Sequence, residues 1–204
     1  MINLKKFVIN PTNEFHILRH FDFVSEHYKK TLLGKPYYYY DQSQGKFVLS
    51  KITQCDIKNA LKVVGTKFNS DVVGIENPKK LLKIAQAEFK KLKDSGSLNW
   101  AQNTGFKTTS FTVGYKLPVG KINCLLVSNI STKDKNKIKS APRSSCKGES
   151  SVLVNTITGL KLDTTTTISV ELVDPVQLPF FIVTAYPNCS ISPNLSFNDL
   201  VFVV

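Results

Sequence analysis

Residues 108–117 read Thr-Thr-Ser-Phe-Thr-Val-Gly-Tyr-Lys-Leu, and their alternating character is that of a strand with one buried face. This stretch decides the fold, because the chain changes character at about residue 105. Downstream, Pro118 to Lys121 reads as a turn and Ile122 to Ile130 as a continuous apolar strand. Further strands are expected near residues 151–158, 166–173 and 180–186, and Leu200 to Val204 reads as a last, edge strand. Between them, residues 131–147 carry Lys133, Lys135, Lys137, Lys139, Arg143 and Lys147 against the lone Asp134 and read as a mobile basic loop.

Upstream, helical spacing dominates. Residues 1–13 read as a basic lead-in, and residues 14–34 as a helix ended by Gly34 and Pro36. Tyr37 to Tyr40 is read as a partly buried strand rather than a base-stacking platform. It is followed by a turn at residues 41–45 and a short strand, Phe47 to Leu49. Thr53 suits the N-cap of a helix containing Ile57, Leu61 and Val64. The clearest helix runs from Pro78 to about residue 94. Leu81, Leu82, Ala85, Phe89 and Leu92 form its apolar stripe, lysines line the rest, and Gly96 ends it. Helices followed by an antiparallel sheet make an α+β domain, and with no long Pro/Gly/Ser linker, residues 1–204 read as a single domain.

Lys and Arg number 27 against 15 Asp and Glu, a formal net charge of +12. Such a surplus favours polyanionic partners: RNA, DNA or an acidic protein. The lysine-rich face of the 78–94 helix is read as solvated rather than as an RNA contact. Cys55, Cys124, Cys146 and Cys189 form no C-x-x-C pair, so no zinc site or other cofactor is expected; their even number permits disulfides or free thiols equally. No run approaches the roughly 18 apolar residues of a membrane helix, and the N-terminus lacks the apolar stretch of a secretory signal. The expectation is a soluble chain, exported, if at all, by a part outside it. Glycosidase-type paired carboxylates, P-loops and G-x-G-x-x-G are absent.

Chemistry concentrates in two short motifs. Two of the three histidines flank an arginine in His16-Ile17-Leu18-Arg19-His20, and Phe181-Ile182-Val183-Thr184-Ala185-Tyr186-Pro187 puts a hydroxyl and a phenol on one strand face. Imidazole titrates nearest neutral pH and suits both proton transfers of RNA transesterification. Guanidinium grips the non-bridging oxygens, and Thr184 and Tyr186 can donate to them. The candidate catalytic set is His16, Arg19, His20, Thr184 and Tyr186. Lys107, Lys133, Lys135, Lys137, Lys139 and Arg143 are candidate RNA-binding residues, and His27 is read as a surface residue. His16 with Lys107, and His20 with Arg19, are both conceivable active pairs.

In order and type, His16 to His20, Thr112-Val113-Gly114-Tyr115 followed by Gly120, and Ile182 to Pro187 resemble the C-terminal toxin domains of bacterial contact-dependent growth-inhibition and polymorphic toxin systems. The nearest branch is the ribonuclease A-like one, within or near the barnase/EndoU/colicin/RelE-like (BECR) fold. The resemblance implies a metal-independent endoribonuclease, delivered into the cytoplasm of neighbouring bacteria and blocked by a cognate immunity protein. The residue set itself leads to 2′,3′-cyclic phosphate ends on an RNA substrate, tRNA included among the candidates, and the +12 charge to an acidic inhibitor. Against it stand a non-catalytic nucleic-acid-binding module and a structural or virion protein that assembles through its β-rich half.

Overall fold

The computed structural model describes residues 5–143, 147, 151–189 and 195–204. The central element is the sheet grown from the 108–117 stretch. Strands β4 (Ala101–Asn103), β5 (Phe106–Gly114), β11 (Thr167–Pro175) and β12 (Ile182–Pro187) pair antiparallel in the order β12-β11-β5-β4. Ile168, Val170, Leu172, Val183 and Ala185 alternate onto one face and are fully buried there. Helix α4 (Pro78–Asp94) covers that face with Leu81, Leu82, Ala85 and Phe89, the stripe expected from its spacing. Asn77 caps its start, and Gly96, at φ +70°, follows its end. The class is α+β.

Helix α1 (Pro11–Leu18) lies along the free edge of β12, and one residue fixes it there. Asn13, wholly buried, donates from Nδ2 to the Val8 and Phe181 carbonyls (2.9 and 3.1 Å), and its Oδ1 accepts from the Val183 N–H at 3.0 Å. The edge strand thus finds helix-borne partners for backbone groups that no further strand satisfies.

Several expectations are corrected. Residues 11–13 belong to α1, not to a lead-in; residues 1–4 lie outside the described residues. The helix expected over 14–34 is two: α1, and α2 (Glu26–Leu32) with Ser25 as N-cap. The break has a cause. Lys67 Nζ takes the Arg19 and Phe21 carbonyls at 2.9 and 3.2 Å, and the His20 carbonyl accepts from the Phe68 N–H. Those carbonyls are no longer available to a continuing helix.

The tyrosines form β1 (Pro36–Asp41), paired with β2 (Lys46–Lys51), and Thr53 opens α3 (Gln54–Leu61) with a capping box to Asp56. The strand expected over 122–130, with a turn before it, is instead β6 (Gly120–Lys121), β7 (Cys124–Leu126) and a 3₁₀ turn, Val127–Asn129. β6 pairs with β3 (Lys67–Phe68) and β10 (Thr164–Thr165), and β7 joins another sheet. Asn123 divides them: its side-chain Nδ2 donates to the Gly65 carbonyl at 2.7 Å while its backbone carbonyl accepts from the Val203 N–H.

Over residues 131–147 the expected mobile loop carries α5 (Thr132–Lys135) and β8 (Lys139–Pro142), the latter paired with β9 (Leu153–Ile157); residues 144–146 lie outside the described residues. The tail is not an edge. β13 (Leu200–Val203) runs between β7, antiparallel, and β9, parallel, with all four residues buried.

Replacing Asn13 by Leu should leave the Phe181 carbonyl and the Val183 N–H buried without partners, at roughly 1–3 kcal/mol each. Urea unfolding should show a loss of about 2–6 kcal/mol at unchanged m-value; a loss below about 0.5 kcal/mol would mean that the clamp does not hold the edge.

Candidate active site

Because α1 is pinned to β12 at Asn13, the following turn carries His16, Arg19 and His20 along the same edge. Ile182, Thr184 and Tyr186 alternate onto the face of β12 turned away from α4. Opposite them in register on β11 stand Val173, Glu171 and Ser169, and beyond these on β5 stand Thr108, Ser110 and Thr112. This face of the sheet is therefore largely hydroxyl-bearing, with a single carboxylate.

The two motifs meet at His20 and Tyr186, whose ring centroids are 5.7 Å apart. His16 and Arg19 line a cavity with Ile182, which shares the face of Thr184 and Tyr186. Arg19 Nε donates to the His16 carbonyl at 3.1 Å. Gly120 permits the close approach at the far end of β12. A Cβ there would sit 2.5 Å from Pro187 Cγ and 2.6 Å from the Lys67 carbonyl oxygen.

His20 is nearly buried, and its Nδ1 lies 3.1 Å from the Thr66 carbonyl oxygen. A carbonyl only accepts, so Nδ1 carries the proton and Nε2 keeps a lone pair. Burial, followed by the charge of Arg19, lowers the His20 pKa to about 3, with Lys67 and Arg143 adding to the shift. Burial and then Arg19, His20 and Arg143 likewise hold His16 well below the usual imidazole value. Tyr186 is pushed the other way, first by burial and then by Glu171, whose Oε1 accepts from the phenol at 2.7 Å. The site thus holds two neutral imidazoles among cations and a phenol that keeps its proton.

The basic residues divide. Arg143 comes in: its Nε donates to the Val64 carbonyl at 3.1 Å, and its charge acts on both histidines. Lys107 does not join His16. It stands opposite Asp174 on the core-side parity of β5 and lines a separate depression with Lys5 and Asp174. Five residues of strand, about 17 Å, separate Asp174 from Ser169, which pairs with Tyr186. Lys133 and Lys135 lie on α5, Lys137 pairs with Asp134, and Lys139 opens β8. All four are exposed, and Lys139 is four residues, about 13 Å of strand, from Arg143. The α4 lysines are exposed and lie across the sheet from Tyr186. His27 is exposed, as read.

Glu171, Thr66 and Lys67 are participants that sequence reasoning missed. Nothing local marks them; register and a distant loop bring them in. Cys124 and Cys189 are free thiols packed in one small cluster, and Cys189 Sγ donates to the Pro187 carbonyl at 3.7 Å. Their interaction pushes the Cys124 thiol up and the Cys189 thiol down; Cys55 is free and exposed, and Cys146 lies outside the described residues. Among the described residues, no three His, Cys, Asp or Glu side chains are grouped to hold a metal ion, and no helix is long and apolar enough to cross a membrane. A larger cleft, about 890 Å³, lies behind Lys67 and Asn123 and includes none of the five motif residues.

The histidines give a pH test. The unfolded chain binds their protons near pH 6.5, whereas folded His20 waits until about pH 3. Between these values the unfolded state holds more protons, so stability falls as pH drops from 6.5 towards 3 and is fully present above about pH 7. The His20 imidazole ¹⁵N shifts should report the neutral Nδ1–H tautomer through pH 5. The slope of unfolding free energy over that range should be shallower in His20→Asn. Titration of His20 near pH 6.5 would contradict its burial among cations.

No protein-family model, curated protein or solved structure matches this chain, so its functional reading rests on the geometry of these residues.

Proposed function

We propose that the protein is a metal-independent endoribonuclease that cleaves RNA by attack of the 2′-hydroxyl on the adjacent phosphate. The observation that carries the reading is the meeting of His20 with Tyr186, beside Arg19 and Arg143, on a hydroxyl-bearing sheet face. In the proposed reaction an imidazole lone pair takes the 2′-OH proton. The 2′ oxygen bonds to phosphorus, the bond from phosphorus to the 5′ oxygen breaks, and a proton passes to that oxygen. The products are a 2′,3′-cyclic phosphate and a 5′-hydroxyl.

Neutral imidazole with a free Nε2 is the form a base requires, and His20 has it at neutral pH. Protonation of the second histidine is aided once a phosphate anion offsets the guanidinium charges that depress both. Arg19 and Arg143 supply positive charge for the non-bridging oxygens. Tyr186 keeps its proton and donates it in a hydrogen bond to Glu171 in the free protein; turned instead to a non-bridging oxygen, that single O–H would serve as a donor. Thr184, half-buried on the same face, is a second donor.

Purified protein should cut RNA in EDTA and leave cyclic phosphate ends. Made separately, His16→Ala and His20→Ala should include at least one loss of about 10²–10⁴-fold, the usual worth of a general acid or base. Unchanged rates in both would remove histidine from the mechanism; loss on chelation restored by Mg²⁺ or Zn²⁺ would remove the metal-free chemistry.

The toxin resemblance adds a partner to the proposal: an acidic protein that covers the groove and matches its charge. Association should be fast and steeply salt-dependent. Lys133, Lys135, Lys137 and Lys139 are all exposed, so reversing them to Glu should slow association without unfolding the domain, although Lys137→Glu also removes the ion pair with Asp134. An unchanged rate at low salt would take this segment out of the steering surface.

A further inference from the structure

The cavity beside His16 and Arg19 has a wall that the proposed chemistry does not use. It encloses about 300 Å³, with Tyr38, Tyr40 and Phe47 of the β1–β2 hairpin on one side and Val173 and Ile182 of the sheet on another. Tyr40 and Phe47 face each other across the hairpin ladder, edge to face at 5.4 Å. Tyr40 is nonetheless 48% exposed, so the pair presents aromatic surface to solvent rather than to the core. The hairpin is held in place: the Tyr38 N–H donates to Thr12 Oγ1 at 3.0 Å, and the Phe47 N–H to Gln177 Oε1 at 2.7 Å. Arg19 lines the cavity; Lys147 also borders it but stands on the other face of the hairpin, bonded to Ser50 and with its Nζ 5.5 Å from the Tyr39 ring centroid.

We propose that this cavity seats one nucleobase of single-stranded RNA, stacked on the Tyr40–Phe47 wall, with its backbone phosphate directed towards Arg19 and the histidines. The proposal rests on the ribonuclease reading and names its substrate form. Three features select this occupant. The volume lies at the bottom of the range for ligand sites, about 300–1,000 Å³, and suits one planar group rather than a larger molecule. An exposed aromatic wall in a cavity that also holds an arginine is a surface on which unpaired bases stack. The cavity is also continuous with His16 and Arg19, so a base held there brings its own phosphate to the candidate catalytic groups. Duplex RNA keeps its bases stacked inside and cannot fill it.

The test uses a fluorescently labelled, fully 2′-O-methylated pentaribonucleotide, which lacks the attacking hydroxyl and stays intact, with binding read by anisotropy. Tyr40→Ala/Phe47→Ala should weaken binding about 5- to 140-fold, the equivalent of 1–3 kcal/mol of stacking at 1.4 kcal/mol per tenfold. Tyr40→Phe keeps the ring face and should bind like the parent. A matching abasic strand should bind the parent weakly and should not distinguish it from the double variant. A circular dichroism melt of the double variant should match the parent's, showing that the loss is local. Parent-like binding by the double variant, or an equal loss with the abasic strand, would overturn the base site. If the parent still cleaves RNA, the ribonuclease reading survives that result; if the parent neither binds nor cleaves RNA, both fall. A double variant that binds RNA normally but loses an acidic protein inhibitor would assign the cavity to a protein side chain and overturn the proposal.

Discussion

Everything distinctive about this molecule depends on one buried amide. Asn13 completes the backbone hydrogen bonding of the outer edge of β12 at Phe181 and Val183, and with the same side chain holds the start of α1 to Val8. An edge strand buried without such a partner would carry unsatisfied polar groups, a cost that scales with each orphan. The same contact sets the relative position of two distant segments. One turn beyond Asn13, α1 presents His16; one pleat beyond Val183, β12 presents Thr184. The juxtaposition of the motifs follows from where the clamp sits.

Lys67 determines the rest of the helix end. Its ammonium gathers the carbonyls of Arg19, Phe21 and Leu61, at 2.9, 3.2 and 3.0 Å, and so closes α1 before His20 can take a helical position. His20 is turned towards Thr66 and Tyr186 instead of standing one turn above His16. The cations that organise the backbone also raise the cost of protonating the imidazoles. Burial and then the Arg19 charge keep both imidazoles neutral, and Lys67, which stops the helix, adds to the shift at His20.

The second sheet shows a different logic. β13 enters between β7 and β9 and buries Leu200, Val201, Phe202 and Val203 in two small clusters, away from the main core. This sheet leads from β8 to Arg143, which reaches Val64 beside the His20 loop. The basic segment that resembles a solvated loop therefore delivers Arg143 to the candidate site and Lys147 to the cavity beside it, and leaves Lys133, Lys135, Lys137 and Lys139 exposed.

The amino-acid pattern by itself determined the α+β class, the α4 stripe and its caps, the Thr53 helix start and the strands that bury Ile168, Val170 and Leu172. Each of these is set by contacts within a few residues or by a period that survives any tertiary context. It also marked His16, Arg19, His20, Thr184 and Tyr186 by residue type, and the structure shows that they lie along a common edge. What it could not reveal was long-range. Asn13 is one polar residue in a polar stretch until Val183 arrives. Glu171 is an ordinary strand carboxylate until register puts it opposite Thr184 and within reach of Tyr186. The apolar run 122–130 shows no break until Asn123 finds Gly65, and the tail is an edge until β7 and β9 close on both sides of it. Hydrogen bonds between residues far apart in the chain have no local signature, so only the tertiary structure decided them.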